Sequence, residues 1–150
     1  MSIRENITAD IILKLKDINT VQMGSVTREP MFRTQDEFYG LARTNFPHVV
    51  VTAGNESRTD LTAGGSSIIR EGLMTVEIVC FVKSSDKSID TTINNLIEAI
   101  EEKLDTDRTR GAIAKDTQVK EVIMGSALEH PYGQFTLEVE VNYIFKRGVT

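Results

Sequence analysis

Cysteine occurs once in the 150 residues, at Cys80. An internal disulfide is therefore excluded, and Cys80 has no partner at ligand spacing. It sits in the apolar run LMTVEIVCFV, the setting of a buried structural thiol rather than a reactive one. Histidine occurs twice, at His48 and His130, each beside proline and neither with a Ser, Cys or acid at motif spacing. Nucleophilic triads and metal clusters thus lack sequence support. No apolar run approaches the roughly 20 residues that a membrane-spanning helix needs. The opening MSIRENITADIILKLKDI spreads acids and bases through itself, with no separate apolar core, so it does not read as a secretory signal. Basic residues are outnumbered, 17 Lys and Arg against 22 Asp and Glu, for a net charge of -5. That opposes general duplex binding, which draws its affinity from Lys and Arg displacing counterions. It leaves open a protein that works beside DNA without adhering to it.

What remains is ordinary globular material, 40% hydrophobic and 26% charged, without internal repeats or low-complexity segments. We expect one soluble, cytosol-made domain over 1–150, large enough to bury a core without staples. Ser2-Ile3-Arg4-Glu5 fits a capping box. Behind it Ile3, Ile7, Ile11, Leu15 and Ile18 recur at helical spacing, which predicts a helix ending near Asn19. Strands follow at Thr20 to Thr27 and, after an aperiodic stretch from Glu29 to Asn45, at Phe46 to Thr52. Gly72 to Lys83 is a third strand, with Met74, Val76, Ile78, Cys80 and Val82 on one face and Leu73, Thr75, Glu77, Val79 and Phe81 on the other. Ser84-Ser85-Asp86 supplies capping chemistry for a second helix, striped by Ile89, Ile93, Leu96, Ile97, Ile100 and Leu104. A weaker strand from Gln118 to Met124 precedes the last, FTLEVEVNYIF (Phe135 to Phe145). The order α-β-β-β-α-β-β predicts an α+β two-layer sandwich. Its mostly antiparallel sheet of four or five strands would carry both helices on one face. The other face, with Glu77, Glu138 and Glu140 beside Val79 and Phe81, would stand uncovered. It reads either as solvated or as partly in contact with another subunit.

Few segments offer chemistry. Asp105-Thr106-Asp107-Arg108-Thr109-Arg110-Gly111 resembles a calcium loop only superficially. Arg110 occupies the position where the turn needs glycine, and Asp116 stands where a bidentate Glu belongs. Ala63-Gly64-Gly65-Ser66-Ser67 lacks the following Lys-Ser or Lys-Thr of a phosphate loop, and neither nucleotide fingerprint is present. No cofactor or metal is expected. The segment AGNESRTDLTAGGSSIIREG, Ala53 to Gly72, is notable for its length. It reads as a hairpin arm between two antiparallel strands, or as a surface loop.

Taken in order, the opening MSIRENITADIILKL, the strand FPHVVVT, the join VCFVKSSDKSIDTTINNLIEAIEEKL, the connection DTDRTRG and the closing FTLEVEVNYIF carry a resemblance. They resemble the tail terminator (tail completion, or minor tail) proteins of tailed bacteriophages, over nearly the whole chain and by pattern rather than catalytic motif. The resemblance implies a non-enzymatic structural protein of the virion, at the junction of tail and neck, assembled in the host cytoplasm. It implies a homo-oligomeric ring, usually of six subunits, that caps the tail tube and stops its polymerisation. Its partners would be the tube protein and the head–tail connector, with tape measure or sheath protein as further candidates. DNA would cross the lumen without specific binding, and no membrane is involved. Glu77, Glu138 and Glu140 would then line an acidic lumen, and Arg58, Asp60, Arg70, Arg108 and Arg110 would belong to partner-contact loops. Two other readings stand beside this one. Another neck component, such as a connector subunit, would share the same acidic, ring-forming character. A small enzyme with an interface active site would draw on His130, Tyr132 and Arg108 or Arg110.

Overall fold

The computed structural model describes residues 2–19, 21, 23–30, 32–41, 46–61, 69–83, 89–125 and 132–146. Ser2 opens helix α1 (Ile3–Lys16) by accepting a hydrogen bond from the Glu5 amide at 3.1 Å. The Glu5 carboxylate is held by Arg28 at 2.6 Å. Ile7, Ile11 and Leu15 on one stripe are completely buried. Helix α3 (Ile89–Asp105) buries Ile93, Leu96, Ala99, Ile100 and Leu104 by the same periodicity. The capping residues expected at Ser84 to Asp86 lie outside the described residues. Both stripes pack on one face of a five-stranded sheet of order β1-β2-β3-β5-β4. The strands are β1 (Ser25–Thr27), β2 (His48–Asp60), β3 (Ile69–Lys83), β4 (Asp116–Met124) and β5 (Tyr132–Lys146). β1 runs parallel to β2, and the other neighbours are antiparallel. The α+β two-layer arrangement expected from the sequence is the one observed.

Alternation decides the core. Met74, Val76, Ile78, Cys80 and Val82 of β3 face the helices beside Phe135, Leu137, Val139, Val141 and Tyr143 of β5, all without solvent exposure. Cys80 is the buried thiol its context predicted, and burial pushes its ionisation far above the ordinary range.

Three features depart from the sequence reading. The first strand is only Ser25–Thr27 among the described residues, not Thr20 to Thr27. The aperiodic stretch contains a short helix, α2 (Gln35–Tyr39), capped by the Thr34 hydroxyl on the Glu37 amide at 3.1 Å. That helix also corrects the uncovered-face expectation. Phe32, Phe38, Tyr39 and Leu41 fold over Val50, Val79, Phe81 and Tyr132 on the far side of the sheet, joined by Phe46. Ring centroids stand 5.1 Å apart for Phe32–Phe81 and for Phe38–Tyr132, ordinary aromatic packing distances. The apolar half of the second face is thus closed by the chain's own aromatic cap. Val79 and Phe81 give no reason to invoke another subunit.

Third, the arm is largely strand. β2 and β3 stay paired from Ala53↔Val76 out to Asp60↔Arg70, and β5 accompanies them to Lys146↔Ile69. Of the Ala53 to Gly72 segment, residues 62–68 lie outside the described residues.

Candidate functional site

The far face of the sheet beyond the aromatic cap is acidic, and strand register sets how its carboxylates meet. Glu77 of β3 stands directly opposite Glu138 of β5, and Glu138 stands directly opposite Glu121 of β4. Three like charges therefore form one row across three neighbouring strands. Directly opposed side chains have Cβ atoms about 4.5–5.5 Å apart, and like charges there are unfavourable. The Glu138 carboxyl is held above the usual carboxylate range, first by desolvation, then by its hydrogen bond with Glu121 and the charges of Glu121 and Glu77. Direct opposition of like charges is a cost to the fold that staggered carboxylates would avoid.

Two of the three members were legible. Glu77 and Glu138 followed from alternation, whereas Glu121 follows from a bulge. The β4–β5 register shifts by one residue between Val119 and Glu121. Without the bulge Glu121 would face the helices; with it, Glu121 joins the row and Val122 turns to the helix side. Glu140, two residues along β5, stands between Thr75 and Gln118 and has Lys120 at 3.8 Å. It flanks the row rather than extending it.

A second polar cluster, which the sequence reading missed, ties the arm to the body. A bulge between Ala53 and Glu56 shifts β2 by one residue and brings Glu56, Arg58 and Asp60 to the helix side. The Glu56 carboxylate, its side chain only 5% exposed, accepts from Arg4 at 2.9 Å and from the Tyr143 hydroxyl at 2.7 Å. It also accepts from Arg58, whose guanidinium lies 4.9 Å from the Phe145 ring centroid. Arg4 donates as well to the Gly54 carbonyl at 2.8 Å. Gly72 makes the space: a Cβ there would stand 2.9 Å from the Tyr143 ring and 3.2 Å from the Glu56 carboxylate. Burial alone would raise the Glu56 carboxyl, but the bonds from Tyr143, Arg58 and Arg4 outweigh it and hold the group below its ordinary value.

The residues expected in partner-contact loops scatter. Arg58 belongs to the Glu56 cluster, and Arg70 pairs with Asp60 at 2.8 Å across the arm. Arg108 grips Asp116 through two hydrogen bonds of 2.6 and 2.9 Å. Arg110 must be withdrawn as a contact residue. Its side chain is 0% exposed, faces Asp10 at 3.3 Å and donates to the Leu104 and Asp107 carbonyls, sealing the end of α3. Around it the backbone turns through positive φ at Arg110, Gly111 and Ala112, and the Asp107 carboxylate accepts from the Gly111 amide at 2.8 Å.

Of the residues of the enzyme reading, only Tyr132, Arg108 and Arg110 are described, and these three stand apart. His130 lies outside the described residues, Tyr132 packs beneath the aromatic cap, Arg108 reaches Asp116 at the start of β4, and Arg110 is buried against Asp10. The structure does bring one nucleophile beside one imidazole, through the β1–β2 register. Ser25 Oγ lies 2.8 Å from His48 Nδ1. The imidazole is wholly buried, stacked at 6.0 Å on Phe81, and burial holds it below its ordinary pKa. A substrate cannot reach it without opening the cap. Among the described residues no group of three or more His, Cys, Asp or Glu is arranged to hold a metal ion, and no helix is long and apolar enough to cross a membrane. No family model matches the chain, and no curated protein matches it in sequence.

Proposed function

We propose that this chain is a structural ring subunit of the tail-terminator kind, which caps a protein tube and joins it to the next part of the assembly. The observation that carries the reading is the carboxylate row Glu77–Glu138–Glu121 on the open part of the sheet. Facing a lumen, the row repels the phosphate backbone of a passing duplex and denies it the counterion release that would hold it. A protein that must let DNA through has a use for this arrangement that solvation does not supply. The whole-chain sequence pattern supports the same family. The arm offers a contact surface for a neighbouring subunit, since Leu61, Ile69 and Ile144 at its end are all exposed. The Leu61 amide donates to the Ile69 carbonyl at 2.8 Å, and Ile69 and Ile144 share the face opposite the helices.

Replacing Glu77, Glu138 and Glu121 together with Lys tests the lumen. Rings should still assemble, because the row lies on an open face, while genome passage slows or stops. Normal infectivity of particles carrying the triple variant would count decisively against a lumen role for the row.

A further inference from the structure

The free edge of the sheet points to a second copy of this chain as its partner. Among the described residues β4 ends the sheet, so one side of its backbone is unpaired. Edge strands are normally blunted by charge, bulges or covering segments. Here those devices occupy only the first part of β4. Arg108 closes on Asp116, the Thr117 hydroxyl donates to the Arg108 carbonyl at 2.8 Å, and the bulge with Lys120 and Glu121 follows. Beyond Glu121 the described residues supply none of these devices. Val122, Ile123 and Met124 are 40%, 40% and 57% exposed. They form the one run of three exposed large apolar residues among the described residues. Val122 and Met124 sit on the helix side and Ile123 on the far side. Among the described residues, both faces of the strand end are thus apolar and no strand pairs with its outer edge.

Residues directly opposite in an antiparallel pair share a face. The occupant must therefore be a strand with consecutive apolar residues on both faces, and β4 itself meets that description. We propose that two copies pair antiparallel through their β4 edges, about a two-fold axis at Ile123. Face matching and charge select this register. An axis at Glu121 sets acid against acid, and an axis at Val122 sets Glu121 against Ile123. An axis at Ile123 sets Ile123 against Ile123 and Val122 against Met124 twice. It also staggers the two carboxylate rows by four residues, about 13 Å at strand rise, beyond the roughly 8 Å screening length of physiological salt. The contact is isologous and closes after two copies, so it is separate from a ring contact and does not rest on the ring reading. A ladder this short falls below the roughly 800 Å² per partner of standard interfaces; the dimer is accordingly weak and concentration-dependent.

The test is sedimentation of the full chain over a concentration series, with mild oxidation of an Ile123→Cys variant. Opposed Cβ atoms at such a pair approach disulfide reach, and Cys80 is buried and cannot compete. We expect a monomer–dimer equilibrium, a cross-linked dimer of the Ile123→Cys chain, and at least tenfold weaker dimerisation for Ile123→Lys with unchanged circular dichroism. A monomer at every concentration, a dimer indifferent to Ile123→Lys, or an Ile123→Cys chain that does not cross-link would each overturn the pairing. Rings that form without the cross-link overturn the pairing and leave the ring reading standing. Cross-linked dimers that never cap tubes support the pairing and overturn only the ring reading.

Discussion

Removing the Glu56 carboxylate should loosen the arm and cost the fold measurable stability. Glu56 gathers Arg4 from α1, Arg58 from the arm and the Tyr143 hydroxyl from β5 at a site almost closed to water. Breaking a fully buried ion pair costs about 3–5 kcal/mol, because the partner's charge is stranded. Here the stranded guanidiniums can rehydrate, since the Arg4 and Arg58 side chains are 28% and 34% exposed. The Tyr143 hydroxyl, on a fully buried residue, has less recourse. We therefore expect about 2 kcal/mol for Glu56→Ala, the lower part of the range for a lost charged hydrogen-bond partner. For a domain of this size that is a fall in Tm of roughly 4–8 °C. The pH dependence gives an independent check. The folded Glu56 pKa lies below its unfolded value. Its contribution is therefore complete above the unfolded pKa and is lost as pH falls through the folded one. Wild type should lose its advantage over Glu56→Gln in that acid window and keep it at neutral pH. Proteolysis at the arm should also quicken in the variant, because the tie between α1 and β2 is reduced to the Arg4 bond on the Gly54 carbonyl. A Glu56→Ala protein within about 0.5 kcal/mol of wild type, with unchanged proteolysis, would refute the cluster as the anchor of the arm.

Two further perturbations probe the buried groups. Burial depresses the His48 pKa in the folded state, so stability should be complete above the unfolded pKa, near 6.5. It should fall as pH drops below that value, because the unfolded chain then binds a proton that the buried imidazole resists. Denaturant titrations on either side of that pH should show this loss in wild type and lack it in His48→Gln. Arg110→Ala should destabilise by about 2–4 kcal/mol, by uncapping the Leu104 and Asp107 carbonyls and stranding Asp10. Because Arg110 sits at φ 50, Arg110→Gly should cost about 1 kcal/mol less than Arg110→Ala. Equal losses for the two variants would contradict the backbone part of that reasoning.

Much of the scaffold was legible because it obeys simple periods. The stripes Ile7–Ile11–Leu15 and Ile93–Leu96–Ile100–Leu104, and the alternation of β3 and β5, assign the core without knowledge of the fold. What escaped the sequence has definite physical causes. Helix α2 has five residues and is anchored by scattered aromatics, so no period announces it. The two bulges each reverse the facing of the residues beyond them. One carries Glu121 into the carboxylate row, and the other carries Glu56 inward from a stretch that reads as polar arm. A bulge has no compositional signature strong enough to reveal that reversal, although Gly54 suits one, since a Cβ there would come within 3.0 Å of the Thr75 carbonyl. The long-range ties Arg4–Glu56 and Asp10–Arg110 join residues whose proximity only the folded chain creates. Arg110 looked like surface charge in DTDRTRG for the same reason.

Ring assembly at a tube end can be tested directly. Purified protein should be sedimented alone and with the tube protein of its own assembly, and polymerised tubes measured by electron microscopy with and without it. The proposed function predicts a defined oligomer at the tube end and tubes that stop growing when the protein is added. A chain that stays monomeric beside tube subunits, with tube lengths unchanged, would contradict it.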